Sequence, residues 1–444
     1  MPPLFHVLRR YHRILRLGLP IVFGMLSQNL LNLVDTAMLG QVGNDALAAV
    51  GLATMMFWLF AAFAVGLGSA VHAQVARRVG EVDQPSAATP LNQGLVLLLV
   101  GAIPWSVLAI GFGRPLFAFL ASDASWSGDG AGYLTIRLIG LGAVGANFAF
   151  RGFWTGVDRP RVYLFVLMWI HVLNAALNWV FIFGNLGVPA MGAEGAALAS
   201  TVATLAGSVA HFRLLHRERG RYGFLELAGW DFDFVPLLRL AMPTGFEIML
   251  ATLSTAVFFW VAGQLGTAEL AATNVLFNIA MVGMLPAMGM GMAATTLVSQ
   301  ALGAGDERLA RRWGWDVAFV SLALGTVAAI VLALAPRSVL SLFVADASTI
   351  DLAVGATRWV TLGLVADMLG VSLYYALLGA RQNKRAMVVS VVSQWTLMVP
   401  AVLLAGLVFE LGLTALWASY VLGYRTMQSL AFVRLWQRTR LAVA

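Results

Sequence analysis

Asp35, Glu247 and Asp367 are the acids of this chain that fall deep inside long apolar stretches; the other carboxylates lie at the ends of such stretches or between them. A charge at the centre of a bilayer costs about 2.5–3.5 kcal/mol on insertion scales, so a carboxylate there calls for a proton or a cation. Polar side chains recur beside these acids at helical spacing. Gln28, Asn32 and Asp35 share one face of the first apolar stretch, and His171, Asn174 and Asn178 share a face of the fifth. Amides can hydrogen-bond a protonated carboxyl or offer carbonyl oxygens to an ion such as Na⁺. Ser200 on the sixth stretch adds a hydroxyl oxygen, and His171 is of a type that relays protons near neutrality. In the second half Glu247 lies one turn beyond Pro243, and Asp367 shares a helix face with Tyr374. Hydrogen bonding between packed helices is the plain structural alternative for each of these residues.

Other chemistries are excluded. The chain has no cysteine, which removes thiol catalysis, disulfides and cysteine metal sites. It has no paired His/Asp constellation for acyl or metal chemistry and no Walker motif, so neither an enzyme nor an ATP-driven pump is expected. No cofactor is expected beyond a proton or a cation such as Na⁺ held at these acids. Asp35, Asn174 and Asn178 are the candidate Na⁺ ligands.

The elements that must position these residues are membrane helices. Of 444 residues 60% are hydrophobic and only 11% charged, against about 25% charged in soluble proteins. Twelve apolar runs are each long enough for a hydrocarbon core of about 30 Å: roughly 15–39, 46–71, 91–116, 131–154, 161–184, 193–214, 238–262, 268–294, 316–335, 352–378, 385–407 and 411–434. The formal charge of +7 is not a nucleic-acid signal. Arginines gather in both tails and in alternate loops, as at Arg77/Arg78, Arg213/Arg217/Arg219/Arg221 and Arg308/Arg311/Arg312, which is the positive-inside pattern. Both termini are expected in the cytoplasm.

The chain is also internally duplicated. Gly40–Ala49 returns 223 residues later as Gly263–Ala272, and the offset pairs Pro20 with Pro243, Gly66 with Gly289 and Gly140 with Gly363. Each copy holds six spans, an even number, so the copies are parallel repeats. The expected fold is an all-α polytopic membrane protein of two parallel six-helix repeats. An N-terminal lobe covers 1–214, a cytoplasmic linker 215–237 and a C-terminal lobe 238–444. Pro20 and Pro243 each remove a helical hydrogen bond inside the first helix of a copy and are candidate hinges.

These residues resemble those of the multidrug and toxic compound extrusion (MATE) transporters, most closely the DinF-like bacterial branch. The resemblance is carried by Pro20 with Val34-Asp-Thr-Ala-Met-Leu-Gly40, by Asn174-Ala-Ala-Leu-Asn178, and by Gly195-Ala-Ala-Leu-Ala-Ser200. Val298-Ser-Gln300 with Gly303-Ala-Gly-Asp306, and Leu378-Gly379, add to it. It implies two six-helix lobes around a central cleft, in the inner membrane of a bacterium. It further implies a monomer that exports amphipathic or cationic small molecules by proton- or Na⁺-coupled antiport. Asp35 then stands at the place of the N-lobe coupling acid, with Asn174, Asn178 and Ser200 in the same pocket. Asp367 matches a tenth-helix acid of Na⁺-coupled relatives, while Thr252 holds the place of their seventh-helix acid and Glu247 lies just over one turn earlier.

Two other classes compete. A lipid-linked precursor flippase of the wider superfamily would line its cleft with Arg or Lys to hold diphosphate, and Arg151 is the candidate for such a charge. A structural or receptor membrane protein would have no use for buried acids in a duplicated frame.

Overall fold

Away from water, a long apolar chain satisfies its backbone only in helices or closed barrels, and this chain takes the helical answer throughout. The computed structural model describes residues 3–120, 124–226, 233–344 and 346–441, and among them there is no strand. In the first half the helices are α1 (Pro3–Gly40), α2 (Asn44–Gly80), α3 (Thr89–Leu120), α4 (Ala124–Ile139), α5 (Leu141–Gly156), α6 (Pro160–Phe183), α7 (Gly192–Arg217) and the single turn α8 (Arg219–Tyr222). In the second half they are α9 (Val235–Leu265), α10 (Thr267–Gly303), α11 (Glu307–Leu334), α12 (Pro336–Leu340), α13 (Ala347–Gly379), α14 (Asn383–Val392), α15 (Val399–Leu403), α16 (Gly412–Tyr420) and α17 (Met427–Arg438).

Ten helices among the described residues are long and apolar enough to cross a membrane. An eleventh crossing is the pair α4 and α5, bent by 50° at Gly140. The twelfth runs through α16, a π-helical stretch at Val421–Thr426, and α17. A second π-helical stretch, Ser393–Met398, follows α14.

The duplication is written into the backbone. Gly43 and Gly266, 223 residues apart, precede α2 and α10 with φ of 150° and 154°, a conformation open to glycine and strained for any side chain. The copies diverge at the shared pair Gly140 and Gly363, since Gly140 marks a bend whereas Gly363 lies inside the unbroken α13. Asp306 and Asp346 start α11 and α13 by accepting from the amides of Leu309 and Thr349, both at 2.8 Å. Together with the hydroxyls of Ser348 and Thr349, that amide holds the Asp346 carboxyl down to about 2.

Helix α2 continues to Gly80 and α10 to Gly303, about nine residues beyond the apolar runs expected at 46–71 and 268–294. The added turns are polar yet buried, with His72, Gln74 and Arg77 in α2 and Thr295, Thr296, Ser299 and Gln300 in α10. Hydropathy marks where a helix leaves lipid, and these helices go on inside protein.

Contacts divide the chain into two compact units. The N-terminal unit is Phe23–Met249, and the C-terminal unit is Met1–Val22 with Leu250–Ala444. The division falls inside α1 and α9, just past Pro20 and within two turns of Pro243, rather than in the linker at 215–237, of which residues 227–232 lie outside the described ones. Both helices run unbroken across their prolines.

Within the N-terminal unit α9 starts against α2. A Cβ on Gly66 would lie 2.5 Å from the carbonyl oxygen of Ala241 and 2.8 Å from the amide nitrogen of Gly245. Within the C-terminal unit α1 starts against α10 in the same way, and a Cβ on Gly289 would lie 2.5 Å from Val22 Cγ2 and 2.9 Å from its nitrogen. Lipid tails are as apolar as leucine, so helices in a bilayer associate through such close backbone approach. The repeated glycines are therefore packing points.

Candidate functional site

Asp35 lies near the C-terminal end of α1, part-buried, in the N-terminal unit. Helix α6 brings Asn174 and Asn178 to it from one face, four residues apart, and packs along α7, which carries Ser200. Asn178 Nδ2 donates to Asp35 Oδ1 at 2.6 Å. With the Asn174 amide turned so that all its neighbours are satisfied, its nitrogen donates to the same Oδ1 at 3.1 Å. Its oxygen then accepts from Ser200 N at 3.1 Å and Ser200 Oγ at 3.2 Å. Asn178 is wholly buried and Asn174 nearly so, at 2% exposure. Asn178 Oδ1 is buried without a hydrogen-bond partner. Asp35, Asn174, Asn178 and Ser200, which the resemblance to MATE transporters implies share a pocket, thus form one cluster, a carboxylate held by two neutral amides and backed by a hydroxyl.

The flanking candidates divide. His171 does share the α6 face, but its Nε2 meets Ser27 Oγ at 3.2 Å, two turns along α1 from Asp35. Asn32 accepts from Gln28 Nε2 at 3.3 Å on the exposed side of α1. Glu247 is buried at 8% exposure in the N-terminal unit. Tyr374 packs against the rings of Tyr375 and Phe432, with centroids 5.3 and 5.5 Å away.

Asp367 has a partner that sequence reasoning missed. Arg425 places Nη2 2.7 Å and Nε 3.0 Å from Asp367 Oδ2, with both side chains about nine-tenths buried. Its Nη1 donates to Tyr424 Oη at 3.4 Å, and its Nη2 also meets Met284 Sδ at 2.9 Å. Tyr424 Oη accepts from Gln394 Nε2 at 2.9 Å, and Gln394 Oε1 accepts from Ser254 Oγ at 3.3 Å. This polar chain links five crossings of the C-terminal unit. Arg425 and Gln394 both lie in π-helical stretches, where one widened turn redirects side chains. Arg151 is therefore not the one arginine inside the spans. Most arginines mark topology, but Arg425 lies inside the apolar run 411–434 just as the three acids lie inside theirs.

Among the described residues no cluster of three or more His, Cys, Asp or Glu side chains could hold a metal. The family profile described as MatE matches two stretches, residues 20–180 and 243–403, again 223 residues apart. A probable multidrug resistance protein NorM of Rhizobium meliloti (strain 1021) is 30% identical over 335 residues, covering 74% of this chain and 71% of that protein. One of the same description from Bradyrhizobium diazoefficiens is 27% identical, covering 95% of this chain and 92% of its own length. A solved outward-facing structure of a multidrug resistance MATE family transporter of the MOP superfamily superposes with a TM-score of 0.89 at 21% identity, covering 96% of this chain and 94% of that one. Profile, relatives and fold agree: the chain belongs to the MatE family, whose members are membrane transporters and not enzymes.

Proposed function

We propose that this chain is a bacterial multidrug exporter that works as a monomer in the inner membrane. It couples outward movement of amphipathic or cationic compounds to inward movement of protons through Asp35. One contrast supports the choice of acid: Asp35 is held by neutral amides, while Asp367 is held by a guanidinium. Taking up a proton changes the net charge of the Asp35 cluster and turns an acceptor into a donor. The bonds from Asn174 and Asn178 must then rearrange. Proton and drug favour different conformations of the two lobes, and that difference is all that antiport requires. Pro20 and Pro243 supply the places where α1 and α9 can bend.

Na⁺ coupling at the same cluster is the second reading. It is favoured by the unpartnered Asn178 Oδ1, since an amide oxygen is a ligand for hard cations. The flippase reading loses ground, because the guanidinium of Arg425 is committed to a carboxylate. The test is dye efflux from vesicles under separately imposed proton and Na⁺ gradients. Efflux is expected to follow the proton gradient and to be lost in Asp35→Asn. Full proton-driven efflux in Asp35→Asn would remove Asp35 from the coupling role, and efflux that follows Na⁺ at clamped pH would establish the second reading.

A further inference from the structure

We propose that Arg425 is a tethered cation: it occupies the Asp367 carboxylate as an exchangeable ion would, so Asp367 takes up neither Na⁺ nor an organic cation, and removing the guanidinium opens a site for free guanidinium. Two guanidinium nitrogens bear on one carboxylate oxygen at 2.7 and 3.0 Å. The remaining nitrogen and the sulfur contact tie the group to Tyr424 and Met284. Such a constellation is a built receptor for a planar cation, with a carboxylate for charge, a phenol oxygen as acceptor and a soft thioether. The chain itself supplies the ligand.

Competition favours the tethered group. A free cation gives up translational freedom on entry, whereas a side chain of the same bundle is present at a high effective concentration. An alkali ion must also shed tightly held water, and a guanidinium is weakly hydrated. The link through Tyr424 and Gln394 to Ser254 fixes the arginine's helix in register, so the cation is held on its own helix and on its neighbours. The inference concerns binding at Asp367 and stands apart from the choice of coupling ion at Asp35.

The test uses the purified full-length chain and reads binding, so its outcome is independent of transport. In Arg425→Ala the unfolding temperature is expected to be lowered and then to rise with the logarithm of guanidinium concentration in the millimolar range, as ligand linkage requires. The parent and Arg425→Ala/Asp367→Asn should show no such rise. A folded Arg425→Ala that does not respond to guanidinium overturns the proposal, because a merely structural ion pair predicts no saturable rescue. Should Arg425→Ala fail to assemble, Asp35→Asn/Glu247→Gln leaves the pair untouched and Asp367 as the remaining carboxylate deep in a span. Equilibrium binding of radioactive Na⁺ to that variant is expected to be absent. Saturable binding to it would mean that Asp367 admits a free ion and would overturn the proposal.

Discussion

Asp35 and Asn178 are joined across α1 and α6 by a 2.6 Å bond from the Asn178 amide to the carboxylate, the shortest of the contacts that hold this acid. A hydrogen bond to a charged group is worth about 1.5–3 kcal/mol, so this contact weighs heavily in the balance between the acid's two states. Asn178→Ala is therefore expected to reduce proton-driven efflux by roughly tenfold or more. Asn174→Ala, at 3.1 Å and shared with Ser200, should act in the same direction and less strongly. Initial efflux rates at a fixed imposed proton gradient, in vesicles with matched protein content, decide the order. Equal rates in parent and Asn178→Ala would detach this amide from coupling.

His171 provides the control. Its position one turn before Asn174 made it a candidate relay, but its contact is the Ser27 hydroxyl at 3.2 Å. Replacement by Gln keeps a group that can hydrogen-bond that hydroxyl and removes the imidazole that a proton relay would need. His171→Gln is expected to retain the parent's pH dependence of efflux, measured between about pH 6 and 8. A flattened profile would restore His171 to the proton path.

The Asp367–Arg425 pair yields a stability prediction distinct from its binding chemistry. Removing one partner of a buried pair leaves an uncompensated charge and costs about 3–5 kcal/mol, whereas replacing both with apolar groups is often neutral. Asp367→Leu should thus lower the unfolding temperature in detergent far more than Asp367→Leu/Arg425→Met. A double variant as unstable as the single one would show that shape, and not charge, sets the cost.

The parts of this molecule legible in the sequence are those with a period. Apolar runs gave the twelve crossings, and spacings of three and four gave the faces that bring Asn174 and Asn178 to Asp35. Contacts between distant helices have no period, so the pairing of residue 367 with residue 425 could not be read from spacing. Arg425 is visible all the same as a base inside an apolar run, but an arginine that marks topology and one that pairs with a buried acid look alike in a sequence. The buried polar ends of α2 and α10 were missed for a related reason, since hydropathy cannot tell water from protein as the neighbour of a polar turn. The division of the chain inside α1 and α9 has no local sequence signal beyond Pro20 and Pro243.

The repeated glycines make a prediction in both copies at once. A Cβ at Gly66 meets only backbone, the carbonyl of Ala241 and the nitrogen of Gly245, so α2 and α9 must separate to admit it. A Cβ at Gly289 meets Val22 Cγ2 first and its backbone nitrogen second, and one of the two contacts can be eased by a rotamer change. Gly66→Ala is expected to lower the unfolding temperature more than Gly289→Ala, and Gly66→Val to prevent assembly. Size-exclusion profiles and thermal unfolding of these three variants test this. Indifference of Gly66→Ala would mean that the close approach of α2 and α9 is not needed for the fold.

The linker begins as a fastened strap. Asn92, at the start of α3, donates to Gly223 O at 3.0 Å and accepts from Leu225 N at 3.3 Å, and Ala88 N donates to Tyr222 O at 2.9 Å. One amide side chain therefore satisfies both a carbonyl and an N–H of a segment that has no sheet to join. Arg159 adds a 2.7 Å contact to Glu218 just upstream. Asn92→Ala removes both of its bonds and leaves two backbone groups to find water. The expected result is faster cleavage by trypsin at Arg217, Arg219 and Arg221, with the rest of the chain unaffected. Opening of a local segment sets that rate when reclosing is fast, so the increase measures the free energy the strap contributes. Cleavage at the parent's rate would place the hold on this segment elsewhere, with the Arg159–Glu218 pair the next to be removed.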